Sequence, residues 1–365
     1  MRGSTGGEFS KGVLNRMNPE IILSERLRRQ RLIEPLQTQD EYPELFEALQ
    51  PVSPIHNTYP GSSPRLAHRT IFDDGNVTDR MRARRVIVKG RFLGGTIGYV
   101  MAKDLGVYAN AFRRPLDGLT EIQQTVLETV RYTGPITPRQ LKEETGLLNR
   151  EIMPALHRLQ RAFLVYEDQV DEDWARGWYD FASEWPEIDL NEAFWERDAA
   201  QVVLCFLRGH VFASLEQVKD WSQFPSRPLK ALIAGMEDSG VLVSTAVEGM
   251  GEGWMRAEDA LLSGPKARPS VFMLHKSDLL VRSHAGELKR RFGGREILQY
   301  LLIDGAFQGA VLGHWRIGPH AVEDVLVELP DVERTRRREE ILNAVAWRYH
   351  LPDSHILRYN GRALA

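Results

Sequence analysis

Cysteine is nearly absent from this 365-residue sequence, which contains only Cys205. A single thiol forms no internal disulfide and no CxxC metal clamp, so a reducing compartment, the cytoplasm, is expected. Cys205 lies in the apolar run VVLCFL and reads as a small buried hydrophobe. No apolar run approaches the roughly 20 residues of a membrane-spanning helix. The P-loop, the dinucleotide glycine fingerprint, HExxH and GxSxG are all missing. Gly94, Gly95 and Gly98 are too closely spaced to cradle phosphates and read as a tight turn. The ten histidines are scattered without metal-ligand spacing, so neither metal nor cofactor is expected. Net charge is −3, so there is no overall cationic field, and a nucleic-acid partner would need local basic patches.

What is present is a repeated grammar. In Gly134–Asp168, Thr137 and Pro138 open a short helix carrying Leu141, and Gly146 marks a turn. Asn149 then opens a second helix with Ile152, Leu156 and Leu159 on one face, and Phe163–Tyr166 form a strand. The order recurs further on: Ser214 opens LEQVKDW, a Pro/Ser turn follows, Leu229, Ile233 and Met236 mark a helix, and Val241–Val243 a strand. Helix, turn, helix, strand is the grammar of a winged helix, whose second helix can enter a DNA groove. Winged helices also serve as protein-interaction modules. Pro154 lies inside the candidate recognition helix and would kink it unless it falls in the first turn.

The expected class is α+β, with tandem winged-helix modules followed by a small C-terminal β domain. Residues 1–16 read as an expression leader, with Met17 the natural start. Residues 17–115 form a divergent first winged helix, with helices over Ile21–Leu32, Tyr42–Leu49 and Ala102–Phe112. Residues 116–170 form the second module, opened by a helix over Leu119–Val130. Residues 171–260 hold a Trp-rich connector and the third module. There Trp174, Trp178, Trp185 and Trp195 read as a packing seam rather than a base-stacking platform. Residues 268–365 are β-rich: VFMLHKSDLLVRS, ILQYLLIDG, GAVLGHWRIG and VEDVLVELP read as strands, with a hairpin at Asp304-Gly305. A last amphipathic helix is expected over Arg334–His350, with Ile341, Val345 and Trp347 apolar. Five basic stretches could follow phosphates, and within them the candidate DNA contacts are Arg28, Arg29, Arg82, Arg84, Arg85, Lys89, Arg91, Arg158 and Arg161. The Gln50–Tyr59 loop gathers Gln50, Ser53, His56 and Asn57 among prolines that stiffen it. Such a loop can present polar groups to a flipped base or its sugar, or it can be a surface connector.

The order RLRRQRLIEP, a short helix ending in LQ, RLAHR and RRVIVKGRF resembles the AlkZ/YcaQ-type winged-helix DNA glycosylases. TGPIT, HVFASLEQVKDW, VFMLHKSDLLV with Asp278, DGAFQGAVLG and RREEILNAVAWRYHLP extend the resemblance over nearly the whole chain from Met17. It implies winged helices cradling damaged double-stranded DNA, with excision of N-alkylated purines or unhooking of interstrand crosslinks. It also implies a catalytic motif of Gln, any residue, then Gln or Asp, which places water against the sugar as the base departs. An N7-alkylated purine is already cationic and needs little acid assistance, so a placed water and a stabilised sugar cation suffice. Two segments compete for the motif. Gln37-Thr38-Gln39 matches literally but precedes the second helix. Gln50-Pro51-Val52 follows that helix, as the family order requires, and keeps only the first Gln. Ser53, His56 or Asn57 would then replace the second polar side chain. The alternatives to a glycosylase are a non-catalytic DNA-binding regulator and an enzyme that has reused the cleft for a small molecule.

Overall fold

The computed structural model describes residues 17–55, 63–167, 177–314, 322–348 and 355–364. The expected leader, the candidates His56 and Asn57, Tyr59 and Trp174 lie outside the described residues.

The chain opens with α1 (Pro19–Arg29), α2 (Tyr42–Leu49) and α3 (Asp74–Ala83). The antiparallel pair β1 (Ile87–Phe92) and β2 (Thr96–Met101) and then α4 (Leu105–Phe112) complete a first unit. Helices α5 (Glu121–Thr133), α6 (Pro138–Thr145) and α7 (Asn149–Arg161) follow, with the antiparallel pair β3 (Val165–Glu167) and β4 (Trp178–Asp180). After the short α8 (Phe181–Glu184), the pattern returns as α9 (Trp195–His210), α10 (Leu215–Ser222) and α11 (Ser226–Asp238), then the hairpin β5 (Leu242–Val247) and β6 (Gly251–Arg256).

The repetition has a local cause. Both α6 and α10 begin with a reciprocal capping box, Thr137 with Gln140 and Ser214 with Gln217, so each helix starts at the same place in its unit. The next helix buries one apolar stripe: Ile152, Leu156 and Leu159 on α7, and Leu229, Ile233 and Met236 on α11. Burial of such side chains stabilises by about 1.5–3 kcal/mol each. Pro154 does not end α7. It is the sixth helical residue, beyond the first turn, and the helix continues through it to Arg161.

The C-terminal part contains β7 (Val271–His275), α12 (Leu279–Ser283), α13 (Ala285–Phe292), β8 (Ile297–Ile303), β9 (Ala306–Leu312), β10 (Asp324–Val327), α14 (Asp331–Arg336), α15 (Arg338–Arg348), β11 (Arg358–Tyr359) and β12 (Arg362–Ala363). Its strands form one sheet in the order β12-β11-β10-β9-β8-β7, antiparallel except where β10 meets β11. The Asp304-Gly305 hairpin is present, with both residues at positive φ, as a right-twisted two-residue turn requires. Two expectations are corrected here. VFMLHKSDLLVRS is a strand only to His275, because Asp278 caps the Leu280 N–H at 2.9 Å and starts α12. The last helix is two pieces broken at Arg337, and Trp347 is exposed rather than on the buried face.

The units have local cores of their own and also share a larger one. One apolar cluster runs from Phe92, Tyr108 and Phe112 through Phe163, Phe206, Trp221 and Phe224 to Leu280 and Phe307. Helix α9 lies centrally, against α1, α2, α4 and α11. Trp178 is buried in the core of the second unit, and Trp195 bridges units by donating to the Ala111 carbonyl at 3.1 Å.

Candidate active site and nucleic-acid interface

Helix α2 ends at Leu49, and the chain leaves it extended at Gln50. Val52 then pairs with Tyr99 on β2, each N–H donating to the other carbonyl at 2.9 Å. The segment is thus a short extra edge on the first hairpin. Gly98 makes room for it, since a Cβ there would meet Pro51 Cβ at 3.1 Å. Gln50 and Val52, at 3% and 5% exposure, both face the interior. The Gln50 Oε1 accepts from the Met101 N–H at 2.7 Å, and its Nε2 donates to Asp104 Oδ2 at 2.8 Å. Its backbone carbonyl receives the Tyr108 hydroxyl at 3.4 Å. The Gln50 amide thus joins α2 to the β2–α4 connection.

Ser53 has a different setting. Its Oγ is buried and has no hydrogen-bond partner. It lines a small, largely apolar cleft whose polar members are Arg65, Arg69, His275, Ser277 and Asp278, where the first unit meets the C-terminal sheet. The cavity there measures about 20 Å³, room for one water. A second orphan atom, Arg69 Nε, belongs to a residue of the same lining. The rest of the Arg69 guanidinium is held by Asp278 at 2.7 Å and by Gln30 Oε1 at 2.8 Å. His275 Nδ1 accepts from the Ser277 N–H at 3.2 Å, which puts the proton of the neutral ring on Nε2. Sequence reasoning missed Arg69, His275 and Ser277. Arg69 lies in the quoted RLAHR and His275 in VFMLHKSDLLV, but nothing local to either segment signals that they meet. Gln37 and Gln39 are exposed on the loop before α2, where Gln37 Nε2 donates to the Pro35 carbonyl at 2.9 Å and Gln39 Oε1 accepts from Arg80 at 2.6 Å.

The nine candidate DNA contacts divide by environment. Lys89 is buried against Glu167 at 2.7 Å. Arg29 pairs with Asp259 at 2.7 Å and Glu25 at 2.8 Å, and Arg28 also pairs with Glu25. Arg82 pairs with Asp79 at 2.9 Å. Arg85 pairs with Glu184 at 2.6 Å and lies over the Tyr179 ring. Arg91 donates to Gln160 Oε1 at 2.6 Å and to the Gly95 carbonyl at 3.1 Å. Arg84 and Arg158 are exposed, and Arg161 is half-buried with an unpartnered Nε. The structure therefore treats these nine residues unequally. It commits Lys89 and Arg29 to internal ion pairs and leaves Arg84, Arg158 and Arg161 without a carboxylate partner among the described residues. Those residues also contain no group of His, Cys, Asp or Glu arranged to hold a metal ion, and no helix long and apolar enough to cross a membrane.

Three-helix units each followed by an antiparallel strand pair, joined to a C-terminal sheet and flanking a small cleft, define a mixed α+β protein built as an array. Residues 64–346 match the family described as DNA glycosylase AlkZ-like, and the chain belongs to that family. The match begins after the Gln50–Ser53 segment, so it does not extend to the candidate catalytic loop. Among solved structures, the Streptomyces sahachiroi DNA glycosylase AlkZ has the same fold, with a TM-score of 0.67 at 16% identity, covering 94% of this chain and all of that one. No curated protein matches the chain by sequence.

Proposed function

We propose that the chain binds damaged double-stranded DNA through tandem winged helices, spanning residues 17–115, 116–170 and 171–260. In this reading it excises N-alkylated purines or unhooks interstrand crosslinks by directing water at the sugar, inside the cytoplasm at the nucleoid. Membership of the AlkZ-like DNA glycosylase family carries the proposal. The Ser53 hydroxyl supports the chemistry: it is an unpartnered polar atom in a cleft with room for one water. Water held there takes the role that Val52 lacks the atoms to perform, with His56 and Asn57, the next polar candidates in the sequence, as its further partners. Gln50 positions the loop rather than the water, because both ends of its amide are already bonded. A second reading, DNA binding without excision, draws on the same amide, since its bonds to Met101 and Asp104 commit the motif's Gln to the protein interior.

Incubation with duplexes carrying N7-alkylguanine or an interstrand crosslink, followed by measurement of free base and abasic sites, tests the proposal. Release above background is expected. Ser53→Ala should slow it by about 10²-fold, the cost of losing a positioned reactant, and Gln37→Ala/Gln39→Ala should leave it unchanged. Absence of release from every such substrate overturns the excision reading and leaves DNA binding alone.

A further inference from the structure

We propose that Arg161 and Arg282, converging on the Leu93–Gly95 turn from the second unit and the C-terminal part, form a binding site for a backbone phosphodiester of duplex DNA. The inference rests on the DNA-binding half of the function proposed above and not on base excision.

The turn joins β1 to β2 and is unusually tight. Leu93, Gly94 and Gly95 all have positive φ, at 43°, 78° and 93°. Three guanidinium groups engage it. Arg91 donates to the Gly95 carbonyl at 3.1 Å, and Arg282 donates to the Leu93 carbonyl at 2.9 Å. Arg161, at the end of α7, lies flat against Gly95, where a Cβ would meet its Nε at 2.5 Å. Only glycine permits that approach.

The charge balance at this turn is incomplete. Several other buried arginines in the described residues are compensated, although Arg113, which donates to the Leu190 carbonyl at 2.8 Å, also has a buried Nε without an acceptor. Arg26, fully buried, caps α9 by donating to the His210 and Phe212 carbonyls at 2.8 and 2.9 Å. Arg69 has Asp278, and Arg337 has Glu340 and Asp304. Among the described residues neither Arg161 nor Arg282 has a carboxylate partner, and the Nε of each is buried without an acceptor. Burial alone lowers the Arg282 pKa, to about 10, with no acid acting against it. Gathering unpaired cations is unfavourable unless an anion completes the set. Planar guanidinium donors match phosphate oxygens in charge and geometry.

The Arg282 side of the site borders open space. Arg282 lines an open groove with Gln223, Lys276 and Tyr300, between α10 and the C-terminal sheet. Asp220 lines the same groove but accepts from the Gly286 N–H at 2.6 Å and is not paired with Arg282. Gln223 lies against Gly94. All three hairpin units and the C-terminal part therefore contribute to one turn, where a phosphate contact would fix the register of the whole array on the duplex. Arg282 is outside every basic stretch visible in the sequence.

The test is the salt dependence of affinity for an undamaged, fluorescently labelled duplex, followed by anisotropy. Each phosphate contact contributes about 0.9 to the slope of log K against log salt. Arg161→Gln and Arg282→Gln are each expected to lower the slope by about that amount, which narrows the wild-type advantage roughly 3.5-fold between about 50 and 200 mM salt. Arg282→Lys, which keeps the charge, should retain the slope, whereas a purely structural role for Arg282 would predict no such rescue. Melting midpoints identify any variant that fails to fold, and Arg161→Gln carries the test if Arg282→Gln does so. Unchanged slopes in folded variants overturn the site. Absence of salt-dependent DNA binding by the wild-type chain overturns both the site and the DNA-binding reading. Shifted slopes without base release support the site while removing excision.

Discussion

The Lys89 ammonium and the Glu167 carboxylate meet at 2.7 Å with both side chains almost wholly buried, joining β1 of the first unit to β3 of the second. A basic residue in an Arg-rich stretch thus serves as an internal tie. Breaking such a pair leaves an uncompensated buried charge, at a cost of about 3–5 kcal/mol. Lys89→Met and Glu167→Gln should each lower the urea midpoint accordingly, and Lys89→Met/Glu167→Leu should recover much of the loss. In the salt series with duplex DNA, the folded Lys89/Glu167 double variant should keep the wild-type slope. A reduced slope would place Lys89 on phosphate.

Gln50 and Ser53 should separate stability from activity. Gln50→Leu leaves the Met101 N–H and one Asp104 oxygen without their partner, a loss of about 1–3 kcal/mol in chemical denaturation. Ser53→Ala removes a hydroxyl that bonds to nothing among the described residues, so its stability should stay within about 0.5 kcal/mol of wild type. Loss of base release in Ser53→Ala at unchanged stability is the expected pattern. The reverse pattern would return the chemistry to Gln50.

Two histidines give the fold an acid-sensitive seam. His284 donates from Nδ1 to the Leu280 carbonyl at 2.8 Å, and its Nε2 receives Gln217 at 2.8 Å. Burial, reinforced by Arg26, lowers its pKa to about 4. His210, whose ring centroid is 5.6 Å from that of His284, is fully buried and is held well below the usual imidazole range chiefly by desolvation. Between about pH 6.5 and 4 the unfolded chain binds protons that the folded chain refuses, so stability is full above that window and falls as pH drops through it. His284 alone accounts for about 3 kcal/mol by the lower end. Denaturation curves at successive pH values should show this slope, and His284→Gln should flatten it. A variant with the wild-type slope would rule His284 out as its source.

Cys205 faces the carbonyls of Glu47 and Ala48 at 3.6 and 3.8 Å, and burial raises its thiol pKa. The native protein should therefore resist iodoacetamide at neutral pH and react once denatured, as read by intact mass. Rapid labelling of the folded chain would contradict this packing of α9 against α2.

Much of the architecture was legible because its signals are local. Helix α2 spans the expected Tyr42–Leu49, and α6 and α10 begin at the capping residues Thr137 and Ser214. The Asp304-Gly305 turn sits where two residues of positive φ are required. Errors arose where a local signal was overridden. The apolar LLVRS reads as strand until the Asp278 cap is recognised, and Arg337 breaks the last helix while holding Asp304 and Glu340.

The sequence by itself determined the repeated helix–turn–helix–strand elements, since capping, periodicity and turn chemistry act over a few residues. It also carried the family resemblance, through the order of those elements. Tertiary structure alone decided what each charged or polar group does. Lys89 and Arg29 became internal ties, Gln50 became a clamp on Met101 and Asp104, and Ser53 came to face the cleft with Arg69 and His275. The physical reason is that a charge or amide acquires its role from desolvation and from partners brought close by folding, such as Glu167, Asp259 and Asp104. Those partners are remote in sequence from the residues they hold, so no local pattern records the pairing.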